Sequence, residues 1–346
     1  MLKTAFKLLV LSAACSLAGL TAFLFYNRNR SLPFITAAQN ALKWENKASF
    51  RTEKTPAAPE VGLQTSAAPA GPLQPCPDVP PNLQGVLRVE FSTNRSLEDV
   101  RQRLGPVLQD GGRYKPATCV AKQKVAIIIP FRNRHEHLKH WLHFLHPILI
   151  RQQLDYGVYI INQEGDSVFN RAKLMNIGHV EALKEYDYDC FVFSDVDLVP
   201  LDDRNLYRCS DNPRHLSVAV DKFNFILPYA TIFGGVSAIS KEQFLKVNGF
   251  SNTFWGWGGE DDDLSQRLYF KGMSISRPDS LIGRYKMIKH GRDLHNNPNP
   301  QNVHKLKETA YNMNTDGLNS LSYTIREIKK DLLYTFITVD VHAPAG

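Results

Sequence analysis

Lys124-Val-Ala-Ile-Ile-Ile-Pro130 is an unbroken run of apolar, mostly β-branched residues. A strand with one wet face alternates polar and apolar residues. A short continuous apolar run instead suits a strand buried on both faces, as in a parallel sheet covered by helices. Just beyond it, Leu138, Trp141, Leu142 and Leu145 recur at i, i+3, i+4 and i+7, the stripe of an amphipathic helix. Tyr156-Gly-Val-Tyr-Ile-Ile161 predicts a second strand, Phe169–Glu185 a second helix, and Cys190-Phe-Val-Phe-Ser194 a third strand. This alternation predicts an α/β fold built on a parallel sheet. No internal repeat interrupts it.

The flanks read differently. The chain has 346 residues, 43% of them hydrophobic, enough for one large domain with extensions. Its net charge of +7 suits an anionic ligand such as a nucleotide-sugar, although an even basic scatter is also an ordinary solvated surface. No Arg/Lys run or aromatic-basic repeat points to nucleic acid. Leu8–Tyr26 carries no charge, and Lys3, Lys7, Arg28 and Arg30 flank it. Such a run of about 19 residues spans a hydrocarbon core of roughly 30 Å as a helix, whereas a cleavable signal has an apolar region of about 7–15. The expectation is an uncleaved signal-anchor at 8–26, a cytoplasmic tail at 1–7 and a lumenal remainder, hence a single-pass type II protein. Basic residues on both sides leave the charge rule undecided. Residues 27–75 are poor in large apolar side chains and rich in Pro, Ala, Gly and Ser, as in KTPAAPE and TSAAPAGPLQP. Such a composition buries too little surface to offset its ordering entropy and reads as a lumenal stem. The globular domain is expected over 76–346. Cys15 falls inside the anchor as a small apolar residue. Four cysteines remain in an oxidising lumen, with three possible pairings; Cys76–Cys119 with Cys190–Cys209 is the one expected. Asn94-Arg95-Ser96 is a glycosylation sequon, and Asn29-Arg30-Ser31 is a second one close to the membrane.

Three clusters carry chemistry. Ser194-Asp195-Val196-Asp197 closes the third strand, and open α/β sheets bind ligands just beyond the carboxyl ends of their strands. Carboxylates one residue apart there can bridge a hard divalent cation to a nucleotide; elsewhere Asp-x-Asp is often a mere surface turn. Trp255-Gly-Trp257-Gly-Gly-Glu260-Asp261-Asp262-Asp263 opens a helix, because Leu264 and Leu268 follow at i, i+4. Acids in a first turn complement the helix dipole, which accounts for one or two of the four. Packed like charges also raise one another's pKa and help to make a general base, while tryptophan faces stack on sugars and a Gly-rich loop can close as a lid. Met287-Ile-Lys-His290 puts a thioether and an imidazole at i, i+3; alone this is more often core plus surface than a metal site.

PFRNRHEHL, FNRAKL, FSDVDLVP, FGGVSA, NGFSNTFWGWGGEDDD and MIKH, in this order, resemble the vertebrate β-1,4-galactosyltransferases, as do GGRYKP before Cys119 and TDGLNSLSY…ITVD near the end. The resemblance covers about Cys76 to Asp340. It implies a GT-A fold, a Rossmann-like nucleotide-sugar transferase domain, with Mn²⁺ dependence and inversion at the anomeric carbon. By matching motif positions it implies Asp197, Met287 and His290 as manganese ligands. The donor pocket would comprise Pro130, Phe131, Arg132, Arg134, Phe169, Arg171, Asp195, Val196, Lys222, Ile232 and Trp257. The acceptor side would comprise Trp257, Gly258, Gly259, Glu260, Asp261, Asp262 and Asn302, with Asp261 as base and Glu260 beside it. The family's cysteine pairing agrees with the one expected above. The implied partners are a UDP-sugar donor, a glycoprotein or glycolipid ending in GlcNAc, and the Golgi membrane. A homodimer and a form released by stem cleavage are compatible with such an anchored enzyme.

Two positions depart from the family. Galactosyl members usually have Tyr before Phe-Gly-Gly; here it is Ile232, which removes a phenol near the donor's 2-position and opens space for an acetamido group, so UDP-GalNAc becomes a candidate donor. Asn302-Val303 stands where relatives often carry Arg-Phe, which leaves open the acceptor pocket and any partnership with an α-lactalbumin-type protein. A rival reading, a catalytically silent sugar-binding protein, would be favoured by loss of an acid or ligand, and none is missing.

Overall fold

The computed structural model describes residues 72–291 and 293–344. The expected tail, the anchor, most of the stem and the Asn29 sequon lie outside these residues. Among the described residues, no helix is long and apolar enough to cross a membrane.

The chain runs through α1 (Leu97–Leu104), β1 (Lys124–Phe131), α2 (His135–Arg151), β2 (Asp155–Gln163), α3 (Arg171–Glu185), β3 (Cys190–Ser194), β4 (Leu198–Pro200), β5 (Arg214–His215), β6 (Ala219–Val220), β7 (Val236–Ser240), α4 (Lys241–Lys246), α5 (Glu260–Phe270), β8 (Arg284–Met287), α6 (Asn302–Lys307), α7 (Thr309–Asn312), β9 (Thr324–Lys330) and β10 (Thr335–Asp340). The main sheet has the order β5-β7-β3-β1-β2-β10-β9, and a smaller one the order β4-β8-β6. β3, β1, β2 and β10 are parallel, as the βαβ rhythm predicts. β7, β5 and β9 join antiparallel, so the sheet is mixed rather than purely parallel. The reason is local: the excursion between β3 and β7 supplies β4 and β6, the two outer strands of the small sheet, and returns the chain without a crossover helix, and β9 hairpins into β10.

Alternate residues of β1 feed two cores. Val125, Ile127 and Ile129 pack with Leu138, Trp141, Leu142 and Leu145 of α2. Ala126 and Ile128 pack with Leu174, Met175 and Ile177 of α3 and with Leu264 and Leu268 of α5. Burial on both faces is why the strand reads as a continuous apolar run, each fully buried isoleucine contributing roughly 1.5–3 kcal/mol. α3 starts at Arg171 rather than Phe169, because the Asn170 side chain accepts from Lys173 N at 2.8 Å and caps it. Cys76–Cys119 and Cys190–Cys209 are disulfide-bonded, the pairing expected. Asn94 is exposed, and Ser96 of the same sequon caps α1.

β1 has β2 on one side and β3 on the other. The crevice outside the carboxyl ends of β1 and β3 is therefore the sheet's switch point, the usual ligand position of open α/β folds.

Candidate active site

Asp195, Val196 and Asp197 turn off the end of β3 into this crevice. Asp195 N donates to Gly235 O at 3.0 Å, and Leu198 N to Asp195 O at 3.4 Å. Arg171, the first residue of α3, links three elements: its Nε donates to Asp195 Oδ1 at 2.7 Å and its Nη1 to Glu260 Oε1 at 3.4 Å. Burial, opposed by Arg171 and reinforced by Asp197, pushes the Asp195 carboxyl up to about 6.

The acids of the Gly loop divide by role. Gly258 and Gly259 take φ of 101° and 94°, where side chains are strained, and Gly259 caps α5. Glu260, Asp261 and Asp262 follow at a helix N-terminus. Burial pushes Asp261 up to about 7, with the Glu260 and Asp262 charges adding to it. A Cβ added to Gly234 would lie 2.5 Å from Asp261 Oδ2, so the Ile232-Phe233-Gly234 segment lies directly against this carboxylate. Asp262 accepts from Tyr229 Oη at 2.9 Å. Asp263 instead points into the protein: it accepts from Arg267 Nε at 2.6 Å and from Thr309 Oγ1 at 2.7 Å and has a structural part.

The Trp255–Gly258 loop is laced to the 295–302 segment. Trp257 N donates to Asn297 O at 2.9 Å, and Asn299 N to Trp257 O at 3.3 Å, while the Trp257 side chain is exposed. Asn302, expected to face the acceptor, is buried; its Nδ2 donates to Gly258 O at 2.7 Å and to Trp255 O at 3.3 Å. Its amide thus holds the loop, a job that the sequence did not signal. A cleft of about 470 Å³ adjoins Asp262, lined by Thr231, Ser265, Gln266, Tyr269 and Leu306.

Two of the three expected metal ligands, Asp197 and His290, lie side by side, and the backbone of Met287 runs next to them. β4 pairs with β8 so that Leu198 faces Met287, and Ile288 N donates to Asp197 O at 2.8 Å. His290 Nε2 lies 3.0 Å from Asp197 Oδ2. Two donors at right angles around one ion, each about 2.1 Å from it, sit about 3 Å apart, so this spacing fits adjacent ligands of a single cation. Among the described residues, no three His, Cys, Asp or Glu side chains converge as a metal cage.

Comparison with known proteins gives the same direction. Residues 76–210 match the family described as the N-terminal region of glycosyl transferase group 7, and 214–291 the one described as the N-terminal domain of galactosyltransferase. The chain is 59% identical to β-1,4-galactosyltransferase 1 of Mus musculus over 272 residues, 79% of this chain and 68% of that protein. It is 57% identical to β-1,4-galactosyltransferase 2 of Cricetulus griseus over 287 residues, 83% of this chain and 78% of that one. The chain belongs to the β-1,4-galactosyltransferase family. It is therefore a glycosyltransferase. Its fold is GT-A-like: the crystal structure of the catalytic domain of Drosophila β-1,4-galactosyltransferase 7 with xylobiose superposes with a TM-score of 0.56 at 26% identity, covering 64% of this chain and 95% of that one. A mutant of the same enzyme, solved with manganese, UDP-Gal and xylobiose, gives 0.55 at 27% identity, with the same coverage.

Of the residues expected to line the donor pocket, Pro130 and Phe131 end β1. The Phe131 ring is buried between His135 and Phe336, so only its backbone is left to face a ligand. Arg132 is buried, donates to Ser167 O at 2.6 Å and lies over the Phe169 ring at 4.9 Å. Arg134 lines a cleft of about 410 Å³ together with Asn133, His137, His290 and Gly291. Lys222 is exposed in the 3₁₀ turn Asp221–Phe223, and Ile232 is half-buried. Sequence reasoning missed Asp221, whose Oδ1 accepts from Met287 N at 2.9 Å, and Tyr229 on Asp262. It also missed His137, whose ring centroid is 5.1 Å from that of His290. These contacts join residues distant in sequence, so no local spacing could have flagged them.

Proposed function

We propose that this transferase moves galactose from UDP-galactose to the 4-hydroxyl of a terminal β-linked N-acetylglucosamine. Asp261 carries the reading: a carboxylate raised to about 7 by burial and two neighbouring acids, with the Ile232–Gly234 segment against it, is poised as a base near neutral pH. The names of the relatives support the donor and the linkage. Asp261 takes the proton of the acceptor 4-hydroxyl; the oxygen attacks the sugar C1 on the face opposite UDP; the C1–O bond to UDP breaks and the α-linked sugar becomes β-linked. Glu260 and Asp262 hold the acceptor, and Trp257 covers both sugars. Arg171 keeps Asp195 ionised for the nucleoside side. Asp197, Met287 and His290 would hold Mn²⁺, which when bound neutralises charge on the leaving diphosphate. A solved relative that carries manganese and UDP-Gal supports the choice of metal and donor. The anchor expected from the sequence and the family support a Golgi-membrane enzyme with this domain lumenal, acting on GlcNAc-terminated glycoproteins or glycolipids.

Ile232 favours a second donor. It has no hydroxyl to bond or block a 2-substituent, so UDP-GalNAc is the alternative. The test is transfer by the full-length protein in detergent to a β-GlcNAc acceptor, with Mn²⁺ or with chelator, comparing the two donors. Metal-dependent preference for UDP-galactose supports the first reading, equal or better use of UDP-GalNAc the second. Inertness with both refutes both.

A further inference from the structure

The segment that carries Ile232 is held by side chains that no motif announces. Arg277, in the stretch between α5 and β8, donates from Nη2 to Ala230 O at 2.8 Å and to Ile232 O at 2.9 Å. Its Nε donates to His215 Nδ1 at 3.3 Å. On the other side of that ring, His215 Nε2 lies 3.0 Å from Gly234 O. Ser217 Oγ donates to the same carbonyl at 3.3 Å and accepts from Val236 N at 2.8 Å. Thus three alternate carbonyls, of Ala230, Ile232 and Gly234, are gripped by one connected group of side chains.

The chemistry is self-consistent. His215 is buried, and burial with the Arg277 charge holds its imidazole down at about 4, so it is neutral at physiological pH. A neutral ring has one N–H and one lone pair. Arg277 supplies a donor to Nδ1, which fixes the proton on Nε2, where it is given to Gly234 O. One tautomer serves both contacts. The gripped segment also meets Asp261, since a Cβ on Gly234 would approach its Oδ2 to 2.5 Å. At Gly234 the segment therefore touches both His215 and the carboxylate read above as the base.

We infer that Arg277, through its own bonds to the Ala230 and Ile232 carbonyls and through His215, is a positioning residue that sets how deeply the Ile232–Gly234 segment stands in the donor-sugar pocket, and so how sharply the enzyme separates a 2-hydroxyl from a 2-acetamido donor. The inference rests on the donor reading above but concerns residues that touch neither sugar. Arginine is needed because one planar group serves two carbonyls and a ring nitrogen; lysine offers a point charge without the fork.

The experiment uses the full-length protein and its Arg277→Lys and Arg277→Met variants. For each donor, kcat and KM are measured, and amide hydrogen exchange is followed in peptides spanning 229–236. Loss of one or two such bonds is expected to relax the ratio of kcat/KM between UDP-galactose and UDP-GalNAc toward one by roughly threefold to tenfold, with the lysine variant intermediate. Exchange should rise in 229–236 and stay unchanged in β1 and α3. A merely structural role would lower both donors in proportion, with general loss of protection, and that result overturns the inference. If the parent protein transfers neither sugar, the donor reading fails, while exchange still decides the grip: unchanged protection of 229–236 in the methionine variant overturns it.

Discussion

Replacing Glu260 by Gln removes one of the two charges that crowd Asp261 while keeping the side-chain shape. Asp261 is raised to about 7 from an ordinary 3.8, first by burial and then by Glu260 and Asp262, with Arg171 opposing. Two carboxylates about 6 Å apart, at an effective dielectric constant of roughly 40, repel by about 1.4 kcal/mol, or about one pH unit. Glu260 also draws on Arg171 at 3.4 Å, so its neutralisation leaves more of that cation for the remaining acids and acts in the same direction. The acidic limb of kcat/KM for the acceptor, at saturating donor, should fall from near pH 7 to near pH 6. At pH 6 the ionised fraction of Asp261 then rises from about one tenth to about one half. Any lost acceptor contact lowers the whole profile without moving its limb. The assay is initial-rate transfer between pH 5 and 8.5. A limb that stays in place, or moves upward, refutes the idea that Asp261 is the base and that its like-charged neighbour tunes it.

Asp261→Asn should lower kcat by at least about a hundredfold while UDP affinity by calorimetry stays unchanged; substantial residual transfer excludes this residue as the base. Asn302→Ala frees the carbonyls of Gly258 and Trp255 and should raise the acceptor KM roughly twofold to tenfold, read by acceptor titration at saturating donor. Arg267→Met strands the buried Asp263 carboxylate and should cost about 3–5 kcal/mol in urea unfolding, far more than a surface change. His146 and His215 are held down at about 4 by burial, below the roughly 6.5 of an unfolded histidine, so the unfolded state takes up their protons first. Their contribution is present above about pH 6.5 and is lost as pH falls toward 4, against an opposite trend from the raised Asp195 and Asp261. The drop in melting temperature from pH 7 to pH 5 should therefore shrink in a His146→Gln variant.

The local sequence determined what local forces decide. The run in β1, the helical stripe of α2 and the acids at the start of α5 are legible because burial pattern and backbone conformation follow from residues within a few positions of one another. The cysteine pairing was expected from four lumenal cysteines and agreed with the family's; Asp195 and Asp197 were picked out by residue type and placement at a strand end, His290 only by the family's motif. Only the tertiary structure decided the rest. It turned β7 and β9 antiparallel, because the direction in which a strand joins its sheet leaves no trace in periodicity. It drew Asn302 beneath the Trp257 loop, packed the Phe131 ring into the core, and set Asp263 apart from its three acidic neighbours by giving it Arg267 and Thr309. It put Arg277 and His215 behind Ile232. A hydrogen bond between residues dozens of positions apart depends on where the whole sheet sets their backbones. A one-dimensional pattern carries the identity of such groups but not their distance.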